Sequence, residues 1–268
     1  HGLTVRAEGH YSFAQGFDTK AKGLYSVALN SQTEAAGQSA MAMGNLTKAT
    51  GNAAVAMGYR ASAEGQLSFA GGKDTVSQGE MSMAFGFRAK ASAEASIALG
   101  IGHAAAPGAV VLGGNPEDPD DKPVASGIAS VAMGHDTTAS GYGSVAIGSR
   151  AYASDYNSVA LGSATATGPN SAALGKSTAA GRNATAAGRA GAYGENSVAM
   201  GGYSSADGEN SVAMGRRAEA AAGSSIAMGS GEATGLGSMA LGNGARATAT
   251  NSISIGSHSR ATGRYSVA

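Results

Sequence analysis

The sequence predicts an all-β chain wound as a parallel β-solenoid with coils of 13–14 residues, and three observations carry that prediction. A pentad of small, bulky apolar, alanine, bulky apolar and glycine, as in Ser144-Val145-Ala146-Ile147-Gly148, returns from one end of the chain to the other. Its closing position falls at residues 16, 30, 44, 58, 72, 86, 100, 113, 134, 148, 162, 175, 188, 201, 215, 229, 242 and 256, with spacings of 14 or 13 residues and one of 21. Glycine fills 43 of 268 positions yet lacks the every-third-residue spacing of collagen.

The first element of each repeat is the pentad itself. Its strict alternation and its Val, Ile, Leu and Met residues predict a strand. The second, as in Tyr59-Arg60-Ala61-Ser62-Ala63-Glu64-Gly65, sets Ala61 and Ala63 on one face and Arg60, Ser62 and Glu64 on the other, a strand half exposed to water. Glycine about every seven residues would interrupt any helix and suits two corners per coil. In 13-residue repeats such as Gly162-Ser163-Ala164-Thr165-Ala166-Thr167-Gly168, the missing residue lies just after the closing glycine. A deletion inside a strand would flip its faces, so the corner is expected to absorb it.

The first strand is apolar on both faces, bulky on one and alanine or serine on the other, and so needs a partner beyond its own coil: a second copy of the chain. Its middle position is alanine in nearly every repeat, Val111 and Ser254 being exceptions. Which face lines the roll is open at this level. Big-against-small complementarity favours Val and Met inward against the second-strand alanines, with the first-strand alanines meeting the partner. Met43, Met57, Met133, Met200, Met214 and Met228 occupy the bulky position and read as core packing. At about 4.8 Å per coil the whole would be a rod on the order of 90 Å, thin enough for a monomer to be marginal. Weak coils are expected at Ala184-Thr185-Ala186-Ala187-Gly188, which lacks both bulky residues, and at Ser68-Phe69-Ala70-Gly71-Gly72, which lacks one; Gln15 puts a polar group in the bulky column.

Composition excludes several classes. Eighteen basic and eighteen acidic residues cancel, leaving no global field for nucleic acid or anionic lipid. There is no cysteine, hence no disulfide or thiolate chemistry. No apolar run approaches the roughly 20 residues of a membrane span. The chain begins at His1 without a leader and reads as an excised fragment. Coils of 14 residues are too short for a triangular hexapeptide acyltransferase, and no carboxylate cluster suggests a lyase. Thr165-Ala166-Thr167 and Thr248-Ala249-Thr250 are too isolated to form an ice-binding array.

Asn157-Ser158-Val159-Ala160-Leu161-Gly162, Asn196-Ser197-Val198-Ala199-Met200-Gly201 and Asn210-Ser211-Val212-Ala213-Met214-Gly215 closely resemble the NSVAIG repeat of YadA-like trimeric autotransporter adhesin heads, and the similarity extends over virtually the whole chain. The resemblance implies a left-handed parallel β-roll, three copies associating as a parallel homotrimer. It further implies a bacterial cell-surface adhesin attached through a C-terminal neck, stalk and outer-membrane anchor, none of which is visible in residues 1–268. Its expected partners are extracellular-matrix proteins such as collagen, fibronectin or laminin, or host cells. The family's link between this motif and collagen carries over to Asn157, Ser158, Asn196, Ser197, Asn210 and Ser211 as candidate contacts; the same motif is also a structural strand.

The 21-residue spacing holds the one Pro-rich, acidic stretch, Gly114-Asn115-Pro116-Glu117-Asp118-Pro119-Asp120-Asp121-Lys122-Pro123. It is expected to leave the single repetitive domain as a projecting loop over about 114–126. Asn115, Glu117, Asp118, Asp120 and Asp121 are its candidate contact residues; the alternative is a solvated insertion. The acidic spacing does not match an EF-hand. His1, His10, His103, His135 and His258 fall in different coils without metal-ligand spacing. Asp74, Asp155 and Glu219 form no acid–base pair, and no GxSxG elbow with a partner occurs. No catalysis, cofactor or metal is expected.

Overall fold

Each repeat folds into one coil of two strands. In the computed structural model, which describes residues 4–115, 117–118 and 121–268, the pentad forms the first strand, for example Val55–Tyr59, and a short second strand follows at Ser62–Ala63. Every strand pairs in parallel with its counterpart one repeat away: Phe69 with Val55 and Ala70 with Ala56 on the first-strand side, Val76 with Ser62 and Ser77 with Ala63 on the second. There is no helix among the described residues. The chain divides into two compact units, His1–Ser140 and Gly141–Ala268, each a parallel β-solenoid of this coil.

The inward residues are small. Ala56 and Ala63 in the first unit, and Ala146 and Ala153 in the second, have no accessible surface. An interior methyl is worth about 0.8 kcal/mol, so the inter-coil backbone ladder matters as much as the core. The bulky residues point the other way: Met57, Met200, Met214 and Met228 are 37–42% exposed. This corrects the expectation that Val and Met line the roll and that methionine is core. The physical reason is the brevity of the coil. Corners this tight bring the two sheets too close for anything larger than alanine, serine or threonine, so both alanine columns face each other. Gln15, on the outward face, is exposed and buries no polar group.

The exceptions in the alanine column are compensated. Val111 stands where Gly102 faces it, and a Cβ on Gly102 would overlap Val111 Cγ1. Ser254 bonds the hydroxyl of Ser259 at 2.6 Å. Gly71, in the coil lacking a bulky residue, is covered by the rings of Phe69 and Phe85, stacked at 6.3 Å. The coil at Ala184–Gly188 keeps full register, Ala186 pairing with Ala173 and with Ala199.

Two kinds of glycine serve the corners differently. The closing Gly72 has φ +112°, a conformation other residues rarely adopt. Gly65 at the other corner needs no such φ; a Cβ there would overlap the carbonyl oxygen of Gly79 in the next coil. The left-handed residues themselves are mostly not glycine: Arg60 (φ 54°) follows the first strand and Leu67 (φ 56°) precedes the next. Each donates its N–H one coil back, Arg60 to Asn45 at 2.9 Å and Leu67 to Asn52 at 2.8 Å, which offsets a backbone cost of about 1–2 kcal/mol. In 13-residue coils it is the residue equivalent to Arg60 that is missing, with no left-handed residue between Gly162 and Thr165. Tyr152 still pairs with Thr165 and Ala153 with Ala166, so the corner absorbs the deletion as expected.

Candidate functional surface

The outward side of the first-strand sheet is an apolar stripe within each unit. Met41, Met57, Met83 and Phe85 are exposed in the first, and Ile147, Leu174, Met200, Met214, Met228 and Ile255 in the second. One such row exceeds the scattered apolar exposure of an ordinary surface. The outward side of the second-strand sheet, turned away from it, is polar, with ion pairs running from coil to coil. Lys22 donates to Glu34 at 2.5 Å, Arg60 lies 3.4 Å from Asp74, and Arg246 lies 3.2 Å from Glu232. The Lys22 bond holds the Glu34 carboxyl below its usual range and raises the ammonium above its own.

The NSVAIG segments divide between corner and core. Asn157, Asn196 and Asn210 occupy the left-handed corner at φ 50°, 54° and 56°, which asparagine tolerates better than most residues. The amides of Asn196 and Asn210 continue a ladder through the corner asparagines of neighbouring repeats: Asn170 donates to Asn183 at 3.3 Å, Asn183 to Asn196 at 2.9 Å and Asn196 to Asn210 at 3.1 Å. Ser158, Ser197 and Ser211 have no accessible surface; Ser158 Oγ donates to the Asp155 carbonyl at 2.8 Å. As direct contacts the three serines are therefore corrected: they point into the roll. Of these six residues only the asparagines are exposed.

The acidic stretch also divides. Asn115 and Glu117 are exposed, and Glu117 N–H donates to Asn115 Oδ1 at 3.0 Å. Asp118 is half-buried, and Asp120 lies outside the described residues. Asp121 is 2% exposed and accepts from the backbone N–H of Asn115 at 2.7 Å and of Asp136 at 2.6 Å. Pro123 is buried, and Val124–Ala125 is already the second strand of the next coil. Asp121 is thus a structural tie across the base of the insertion, a correction to its place among the contact residues. The tie follows from the coil: the insertion leaves two backbone donors at the corner, and a carboxylate reaches both.

Among the described residues no group of histidine, cysteine, aspartate and glutamate could hold a metal, and no helix is long and apolar enough to cross a membrane. His103 bonds Ser92 Oγ through Nε2 at 2.9 Å. Its burial, and then the charge of Lys90, hold its pKa below the usual value. Sequence reasoning passed over the surroundings of His103, where Arg88, Lys90 and Lys122 gather; the 13-residue spacing just before the insertion was the available signal.

The family description YadA head domain repeat (2 copies) matches residues 7–29, 35–73, 77–102, 125–151, 139–165, 176–204, 192–218, 206–231, 233–259 and 247–268. The chain belongs to the YadA head family. No curated protein matches it. As a YadA head it is the head of a trimeric-autotransporter type of adhesin, an adhesive and structural fold of the cell surface. The repeat's hallmark asparagine and serine have folding roles in this YadA head, one at the left-handed corner and one beneath it.

Proposed function

We propose that three copies of this head associate in parallel through the apolar faces of their first-strand sheets. We further propose that the assembly attaches a bacterium to host extracellular-matrix protein, such as collagen, fibronectin or laminin, or to the host cell itself. The observation that carries the reading is the outward row of methionine, isoleucine and leucine, in which Ile147, Leu174, Met200, Met214, Met228 and Ile255 are 36–57% exposed in the single chain. Such a face is an aggregation liability unless a defined partner covers it, and identical repeats suit identical partners in register. The polar second-strand sheet then remains outermost, offering similar shallow chemistry at each coil. Three copies multiply weak contacts into avidity. Attachment needs no catalytic turnover, and display at the outer membrane places the head where matrix is met.

Sedimentation of the purified chain at micromolar concentration is expected to give three times the chain mass. Met200→Asp with Met214→Asp, at positions already exposed in one chain, should shift it toward monomer without loss of β signal. A stable wild-type monomer would sink the association. Attachment to immobilised collagen, fibronectin and laminin no greater than to albumin would overturn the ligand class.

A further inference from the structure

A notch interrupts the corner ridge of the first unit. In a 14-residue coil the corner after the closing glycine holds two residues, as Phe87 and the left-handed Arg88 (φ 56°) after Gly86. In the 13-residue coil that follows, Ile101 alone stands there, 5% exposed, its N–H donated to Gly113 at 2.7 Å. The following corner restores a full-length side chain at Lys122, which precedes buried Pro123 as Arg88 precedes buried Ala89. Arg88 and Lys122 therefore flank a gap of two strand spacings, roughly 10 Å. The gap has a cavity of about 240 Å³ lined by Arg88, Lys90, Ile101, Gly102, His103 and Lys122.

No acidic side chain lines it. Lys90 and His103 are neighbours across the ladder on the outward side of the second-strand sheet, away from the apolar stripe. Arg88 leans on the Phe87 ring at 5.0 Å, which aims its guanidinium without consuming a hydrogen bond. Lys73 lies over the same ring at 5.4 Å. Asp121, next to Lys122, has its oxygens committed to Asn115 and Asp136. A chain with eighteen charges of each sign has here concentrated cations around an apolar floor.

We propose that this notch binds a sulfate group of a sulfated glycosaminoglycan. The Arg88 fork suits a tetrahedral oxyanion, Lys90 and Lys122 supply point charges on two sides, and nearly buried Ile101 closes the floor without offering a competing carboxylate. A site open along the corner ridge suits a polymer passing through better than a small enclosed ion. Choosing an extracellular polysaccharide rests on the cell-surface reading above; the anion chemistry does not.

The test is binding of the intact chain to immobilised heparin, to fully desulfated heparin, and to hyaluronan, which carries carboxylate without sulfate. Arg88→Ser with Lys122→Ser is expected to weaken heparin binding roughly tenfold or more, equivalent to about 1.4 kcal/mol. Lys20→Gln with Lys48→Gln removes the same charge elsewhere and should change it little. Equal binding of desulfated heparin, or equal losses from the two double variants, would overturn the proposal. If the double variant melts early, Lys122→Gln alone, at an exposed side chain, carries the comparison, and wild-type heparin affinity there overturns the proposal equally. Competition by inorganic sulfate at millimolar concentration supports the anion assignment. Sedimentation of the same samples keeps the association reading separate: a monomer that binds heparin refutes only the trimer, and a trimer that ignores heparin refutes only the notch.

Discussion

The pairing of Val111 with Gly102 predicts a measurable coupling within the alanine core. A Cβ placed on Gly102 would overlap Val111 Cγ1 and lie 3.0 Å from the Pro123 carbonyl oxygen and 3.3 Å from Pro123 Cγ. Its φ lies outside the left-handed region, so Gly102→Ala carries a steric cost and no backbone penalty. Overpacking of this size costs about 1–3 kcal/mol. Val111, with no accessible surface, loses two methyl-sized groups on Val111→Ala, a cost of about 2–3 kcal/mol with the cavity included. The double variant recreates the Ala89 and Ala98 combination at the same nine-residue offset one coil earlier, both buried. It should therefore be less damaging than the sum of the singles by at least about 1 kcal/mol, since neighbours that share space are not additive. Urea denaturation of the intact chain measures the cycle, and hydrogen exchange over Val110–Gly113 reports the coil itself. Additivity within about 0.5 kcal/mol would refute the idea that the two residues share one interior volume.

Other changes separate core from surface. Ala146→Glu with Ala160→Glu should unfold the second unit, because both methyls point into the roll with no accessible surface; wild-type circular dichroism would contradict this. Asp121→Ala should destabilise by about 1–3 kcal/mol, since it strands the N–H groups of Asn115 and Asp136. Replacing exposed Glu117 with Ser should leave the melting point nearly unchanged. The lowered pKa of His103 sets a pH dependence: the unfolded state takes its proton first, near pH 6.5, so stability falls as pH drops through that value and levels off below the folded-state pKa. His103→Gln should flatten this slope, and an unchanged slope would assign it elsewhere.

The period, the strands and the tolerant corner were legible in the sequence because each is a local property. Alternation marks a strand, glycine marks a corner, and a missing residue between Gly162 and Thr165 can only be lost where no face is flipped. The repeated NSVAIG segments likewise sufficed to indicate the family. Tertiary structure decided which way the faces point. Alternation separates Ala146 from Val145 and Ile147, but only the distance to the facing strand, set by corner geometry, sends the methyl inward and the larger groups outward. The same holds for the acidic stretch, where Asp121 looks like Asp118 in sequence yet is buried and accepts from two backbone N–H groups, one of them 15 residues away. It holds again for the cations of the notch. Arg88, Lys90, His103 and Lys122 span 35 positions, and they become neighbours because the solenoid converts a repeat of 13 or 14 residues into a step of one strand spacing.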